Sequence, residues 1–249
     1  MSPAGGDRLE VRRLPRRSRG AVLFLHGGYD SDLRPPSALL NAPALRMAPF
    51  VRALLRSTRG DGGSVAVARV RYRHRGWNGA RADAAADALD GLAALRALTG
   101  DAPTVLVGHS MGGRAALRAA GRPGVAGVVA LAPWCPPEEP PVPVAGARLV
   151  FAHAAADRVT SPAGSRQAAV RARAAGARVA RYELPGGDHA MLRQARVWHT
   201  LTLRATRALL GLDPLPHDLA AAFAEPPGSG AGLDLPPHAA TGAEPLTGP

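Results

Sequence analysis

The chain has 249 residues and a formal charge of +12 carried wholly by arginine, for it contains no lysine; that length suffices for one large domain with a sizeable core. The arginines are scattered, and no aromatic side chains interleave with the loose cluster of Arg12, Arg13, Arg16, Arg17 and Arg19, so the charge reads as codon bias and a solvated basic face, with no nucleic-acid partner. Cys135 is the single cysteine, which excludes an internal disulfide and, beside Trp134 and Pro136, suggests a packing residue and not a nucleophile.

In chain order, residues 1–8 read as a flexible N-terminus and residues 9–14 as an outer antiparallel strand. Residues 21–25 form a buried strand. Arg16-Arg17 ahead of it imitates an export signal, but the apolar run ends at His26-Gly27-Gly28, short of the about 7–15 residues that a secretory core needs. No window approaches the roughly 18 apolar residues of a membrane span, so a cytoplasmic protein with no membrane partner is expected.

A helix follows over residues 44–56, with Leu45, Phe50, Leu54 and Leu55 toward the core, then a strand over 64–72. Residues 80–98 form the next helix, with Leu89, Leu92 and Leu95 inward, Asp83, Asp87 and Asp90 elsewhere, and Gly100 as its stop. Strands over 104–107, 125–131, 148–152 and 178–184 complete the set, with a helix opened by Ser161-Pro162 and a last one over 191–210. Apolar runs alternating with helices predict an α/β domain over residues 9–212. Its sheet should be mostly parallel, with about 6–7 strands and helices on both faces. Residues 213–249, rich in Pro, Gly and small side chains, read as a disordered tail in which only 218–223 could form a short docking helix. No internal repeat is present.

One segment carries chemistry. Thr104-Val105-Leu106-Val107 runs into Gly108-His109-Ser110-Met111-Gly112-Gly113 and then into helix-forming residues, which is G-x-S-x-G in its strand–turn–helix context. A serine on so tight a turn has a strained backbone, and glycines two positions to either side remove side chains that would collide. A serine hydroxyl also needs a base oriented by a third group. His189 lies on the loop after the last strand, at the sheet end where open parallel sheets bind ligands; His199, inside a helix, and His153, on a strand end, read as structural. Asp157, just after a buried strand, is the candidate acid, ahead of Glu138, Glu139 and Asp188. Two backbone donors must hold an oxyanion: Met111 N–H is the first and Gly28 N–H the second, with Tyr29 in reserve.

These loops, in this order and spacing, resemble the α/β-hydrolase fold family. The elbow Gly108 to Gly112, the His26-Gly27-Gly28 loop, Asp157 and His189 stand where that family carries its elbow, oxyanion loop, acid and base. The short form is similar to the branch of small esterases and dienelactone hydrolases, although the latter often carry a cysteine where this chain has Ser110.

Lids in this family usually enter after the strand that ends near Leu131. Only about 16 residues, 132–147, separate it from the next strand, too few for a cap domain. The expectation is therefore an open site with a stiff Pro-rich rim. Tyr29 and Trp77 are candidate walls of a substrate pocket; Trp77 alternatively packs on the sheet edge. Arg73 and Arg75 read as solvated, with a role toward a substrate carboxylate as the alternative. No metal-ligand spacing, Rossmann fingerprint or P-loop is present, so no cofactor is expected. The implied activity is a carboxylesterase-type acyl hydrolase acting on a small-molecule ester. A thioesterase, amidase or acyltransferase would use the same machinery, and a binding protein could keep the fold without turnover.

Overall fold

Parallel strands buried on both faces must be apolar along their whole length, and Gly20–Leu25 meets that demand with every residue buried. The computed structural model describes residues 8–37, 41–60, 63–139 and 144–236. Its strands are β1 (Leu9–Arg13), β2 (Gly20–Leu25), β3 (Val65–Val70), β4 (Thr104–His109), β5 (Val125–Leu131), β6 (Arg148–Ala154) and β7 (Arg178–Leu184). They form one seven-stranded sheet in the order β1-β3-β2-β4-β5-β6-β7. Only β1 runs antiparallel, at the edge beside β3; β2 lies between β3 and β4 and is parallel to both. The helices are α1 (Ala42–Ser57), α2 (Asp83–Thr99), α3 (Met111–Arg118), α4 (Pro162–Ala174), α5 (Ala195–Leu209) and α6 (His217–Ala224). The fold is that of an α/β hydrolase, with no cap domain among the described residues.

Alternation along the strands divides the core into two layers. Leu23, Leu106 and Phe151 face α2, α3 and α4, whereas Phe24, Val107 and Val150 face α1, α5 and α6. Local chemistry sets where helices begin. The Asn41 side chain accepts from Ala44 N–H at 3.2 Å to cap α1, and Ser161 Oγ accepts from Gly164 N–H at 2.9 Å to cap α4, with Pro162 in the first turn. Among the described residues no helix is long and apolar enough to cross a membrane.

Leu45 is exposed and not on the core face of α1, and three larger expectations also need correction. The segment after residue 212 is not a disordered tail over its described length. Leu219, Phe223 and Leu233 are buried in it, and Leu235 lies along β7, donating to Arg181 O at 2.9 Å and accepting from Glu183 N–H. The reason lies in two buried arginines. Arg173 donates to the carbonyls of Ser229 and Ala231 at 2.8 and 2.6 Å, and Arg181 donates to Leu233 O and Asp234 Oδ1 at 3.1 and 2.9 Å. The segment's carbonyls and carboxylate satisfy the guanidinium donors that its docking takes out of water, as burial of a charge requires. Residues 1–7 and 237–249 lie outside the described residues.

The last large helix begins at Ala195 and not near Met191. Asp188 Oδ1 accepts from the N–H groups of Leu192 and Arg193, and Met191 and Gln194 take positive φ values of 58° and 55°, so this stretch is a turn. Finally, Asp83 and Asp87 face inward on α2, not away from the core. Asp87 is fully buried and accepts from Arg73 at both its backbone N–H (2.7 Å) and Nε (2.6 Å).

Candidate active site

Ser110 occupies the junction of β4 and α3 with φ 54° and ψ −119°, a region that L-residues rarely enter and that the surroundings must enforce. The glycines make the enforcement possible. A Cβ on Gly112 would stand 2.5 Å from His26 O and closer still to Leu25 O. At Gly27 it would press on Ser110 Cβ at 3.3 Å, so the loop after β2 runs directly against the serine. Ser110 is 7% exposed, and among the described residues its hydroxyl has no hydrogen-bond partner.

Two backbone N–H groups beside it are also free among the described residues: Met111, the first residue of α3, and Gly28, on the loop after β2. Tyr29 N–H is not, because it donates to Arg75 O at 2.9 Å. That removes Tyr29 as the reserve oxyanion donor. Gly28 could not be another residue, since an added Cβ would drive into Arg75 O and the Met111 side chain.

Asp157 and His189 meet across the ends of β6 and β7. His189 Nδ1 donates to Asp157 Oδ2 at 2.8 Å, which leaves Nε2 as the basic nitrogen. Burial would raise the Asp157 carboxyl, but hydrogen bonds from His153, His189, Val159 N–H and Thr160 N–H outweigh it and hold the group well below the carboxylate range. It is therefore an anion against the imidazole. His189 in turn lies over the elbow: its carbonyl accepts from His109 Nε2 at 2.9 Å, and the two rings are 4.8 Å apart. No hydrogen bond joins His189 to Ser110 here. Such contacts often form fully only when substrate binds.

The remaining candidates fall elsewhere. His199 stacks on Phe50 with ring centres 4.1 Å apart. Glu139 is held by Arg114 and Arg118, and Asp188 closes its own turn. His153 is fully buried with Nε2 3.3 Å from Asp157 Oδ2, and so braces the acid. Burial lowers His26 to about 4 and His109 to about 3, and the buried Cys135 thiol is pushed up to about 12.

Thr160 is the residue that the sequence reading missed. Its Oγ1 lies 3.1 Å from Asp157 Oδ2, 3.2 Å from His189 Nδ1 and 3.3 Å from His153 Nε2. A signal for it was present, because an Asp that accepts N–H bonds two and three residues on, at Val159 and Thr160, is a local Asx-type turn.

The two candidate wall residues differ. Tyr29 is 48% exposed, with its hydroxyl accepting from Arg75 at 2.8 Å. Trp77 is not a wall and not on the sheet edge: it is 1% exposed, edge-on to Trp134 at 6.2 Å and capped by the Arg114 guanidinium at 3.8 Å. Arg73 is exposed, as expected of a solvated side chain, while paired with Asp87; Arg75 is half-buried against Tyr29 and Asp32.

A sequence profile described as the alpha/beta hydrolase family matches residues 22–243, which extends well past residue 212. No curated protein sequence matches the chain. Among solved structures, a putative alpha/beta hydrolase from Agrobacterium tumefaciens is similar at 17% identity and a TM-score of 0.59, covering 82% of this chain and 91% of that one. The Bacillus cereus carboxylesterase is similar at 16% identity and a TM-score of 0.57, covering 81% and 92%. Est1E from Butyrivibrio proteoclasticus follows at 13% and 0.55, covering 82% and 93%. At such identities the likeness is one of fold.

Proposed function

Since the chain belongs to the alpha/beta hydrolase family and is a hydrolase, we propose that it cleaves a small-molecule ester through an acyl-enzyme formed on Ser110. The observation that carries this reading is the strained Ser110 backbone at the head of α3, flanked by the unengaged N–H groups of Met111 and Gly28. His189 Nε2 takes the Ser110 proton as Oγ attacks the ester carbonyl. Asp157 keeps the Nδ1 proton in place and stabilises the imidazolium. The carbonyl oxygen becomes an anion between Met111 N–H and Gly28 N–H. The alcohol leaves with the proton from His189, and a water activated by the same imidazole releases the acid.

The esterase reading gains support from the carboxylesterase and Est1E structures that share the fold. Thioesters, amides or transfer to another acceptor would use the same groups. The test is labelling by a fluorophosphonate probe, in which wild type should label and Ser110→Ala should not. Equal labelling of the two would refute the assignment, and an unlabelled wild type would favour a fold-retaining binding protein. With no cap domain among the described residues, p-nitrophenyl esters of short acids should be hydrolysed faster than those beyond about twelve carbons.

A further inference from the structure

The connections between successive strands from β2 to β7 each carry a helix, except one. The β5–β6 connection carries none among the described residues. On the sheet face covered by α3 and α4, this leaves a gap over β6 that the described side chains do not fill. A cavity of about 250 Å³ occupies it, with Leu117 from α3, Leu149 and Phe151 from β6, and Ala168 and Ala172 from α4 among its walls. An apolar cavity of roughly 150 Å³ already holds a benzene, so this one has room for an aliphatic chain.

Its rim is charged and unbalanced. Arg114, Arg118 and Arg171 line it with a single carboxylate, Glu139. Arg114 Nε donates to one Glu139 oxygen at 2.5 Å, and Arg118 donates to the other. Arg171 is exposed on α4, and its side chain has no partner among the described residues. Three guanidiniums thus face one anion. Burial pulls the Arg114 guanidinium downward against the influence of Glu139, as expected for positive charge crowded beside an apolar wall.

We propose that this cavity is a second binding site, which takes a single-chain amphipathic carboxylate. The acyl chain lies between α3 and α4, and the carboxylate pairs with Arg171 at the rim. A neutral chain would leave the excess charge uncompensated and a cation would be repelled, whereas a guanidinium and a carboxylate form paired charge-assisted hydrogen bonds. The site is separate from the reaction centre, because Ser110, Asp157 and His189 are not among its lining residues. It nevertheless touches the elbow's support, since Trp134, which lines the cavity, donates its backbone N–H to Ser110 O at 3.1 Å. Nothing in this inference depends on the esterase reading.

The probe is sodium octanoate, titrated into the full chain by calorimetry beside 1-octanol and octyltrimethylammonium. Octanoate should bind saturably with Kd below about 1 mM and at least about tenfold tighter than either control. Ala172→Trp, which fills the gap, should weaken it at least about tenfold, and Arg171→Glu, at an exposed position that should not disturb folding, at least about fivefold. Because Cys135 is the only thiol and lines the cavity, saturating octanoate should also slow its modification by methyl methanethiosulfonate, read by mass spectrometry on wild type. Octanoate binding that survives Ala172→Trp in a folded protein would place the ligand elsewhere. Equal affinity for octanoate and octanol, unchanged binding to Arg171→Glu, or no protection of Cys135 would each overturn the proposal.

Discussion

Gly112→Ala tests whether the elbow is held by backbone contact. The new Cβ would stand 2.5 Å from His26 O and nearer to Leu25 O, where real Cβ contacts do not fall below 3.0 Å, so more than 0.5 Å of displacement is required. Neither oxygen can yield easily. Leu25 ends β2, which is paired on both sides by β3 and β4, and His26 is buried against Tyr72 with ring centres 4.6 Å apart. The strain therefore moves the head of α3, and Ser110 with it. Overpacking of this kind costs about 1–3 kcal/mol, and backbone against backbone belongs at the upper end, near 3 kcal/mol. For a chain of this size that corresponds to roughly 6–12 °C in Tm. Displacement of a nucleophile by a large fraction of an ångström should slow its reaction by up to about 100-fold. Thermal unfolding and the fluorophosphonate labelling rate measure the two effects. Gly230→Ala, whose Cβ would meet nothing within 4 Å, is the control. Wild-type Tm and labelling rate in Gly112→Ala would refute the close-approach reasoning.

Asp157→Asn should leave a folded protein with kcat lowered by about 10⁴, because the wrong imidazole tautomer then faces Ser110; ester hydrolysis within tenfold of wild type would remove Asp157 from the mechanism. Truncation after residue 212 should cost about 3–5 kcal/mol by losing the apolar burial of Leu219, Phe223 and Leu233, and a truncated chain as stable to urea as the whole one would contradict the docking of this segment. The two buried histidines predict acid sensitivity. His26 and His109 sit at about 4 and about 3, below the ordinary 6.5, so the unfolded chain binds protons first as pH falls. Their contribution is complete above 6.5 and is lost on descent toward 4 and 3. Between pH 7.5 and pH 5 the loss is on the order of 4 kcal/mol for the pair. Urea unfolding at those two values should show it, and equal stability at both would rule it out.

How far the site was legible follows from the reach of each interaction. Ser110 could be read because a strained residue between a strand and a helix demands glycines at fixed offsets, and all of that lies within a few residues. Asp157 and His189 could be proposed because parallel strands deliver their loops to one end of the sheet. Their geometry could not, since His189 meets Asp157 across 32 positions and Thr160 across 29. The larger surprises share that cause. Residues 213–236 have the composition of a tail, yet they dock because Arg181 finds Leu233 O 52 positions away. Trp77 follows a strand as a pocket residue would, yet Arg114 closes over it. Composition and short motifs report what the backbone must do locally, and here they yielded the parallel sheet and the elbow. Whether a given Trp or Arg faces solvent depends on which distant groups the fold brings to it, and only the assembled layers decide that.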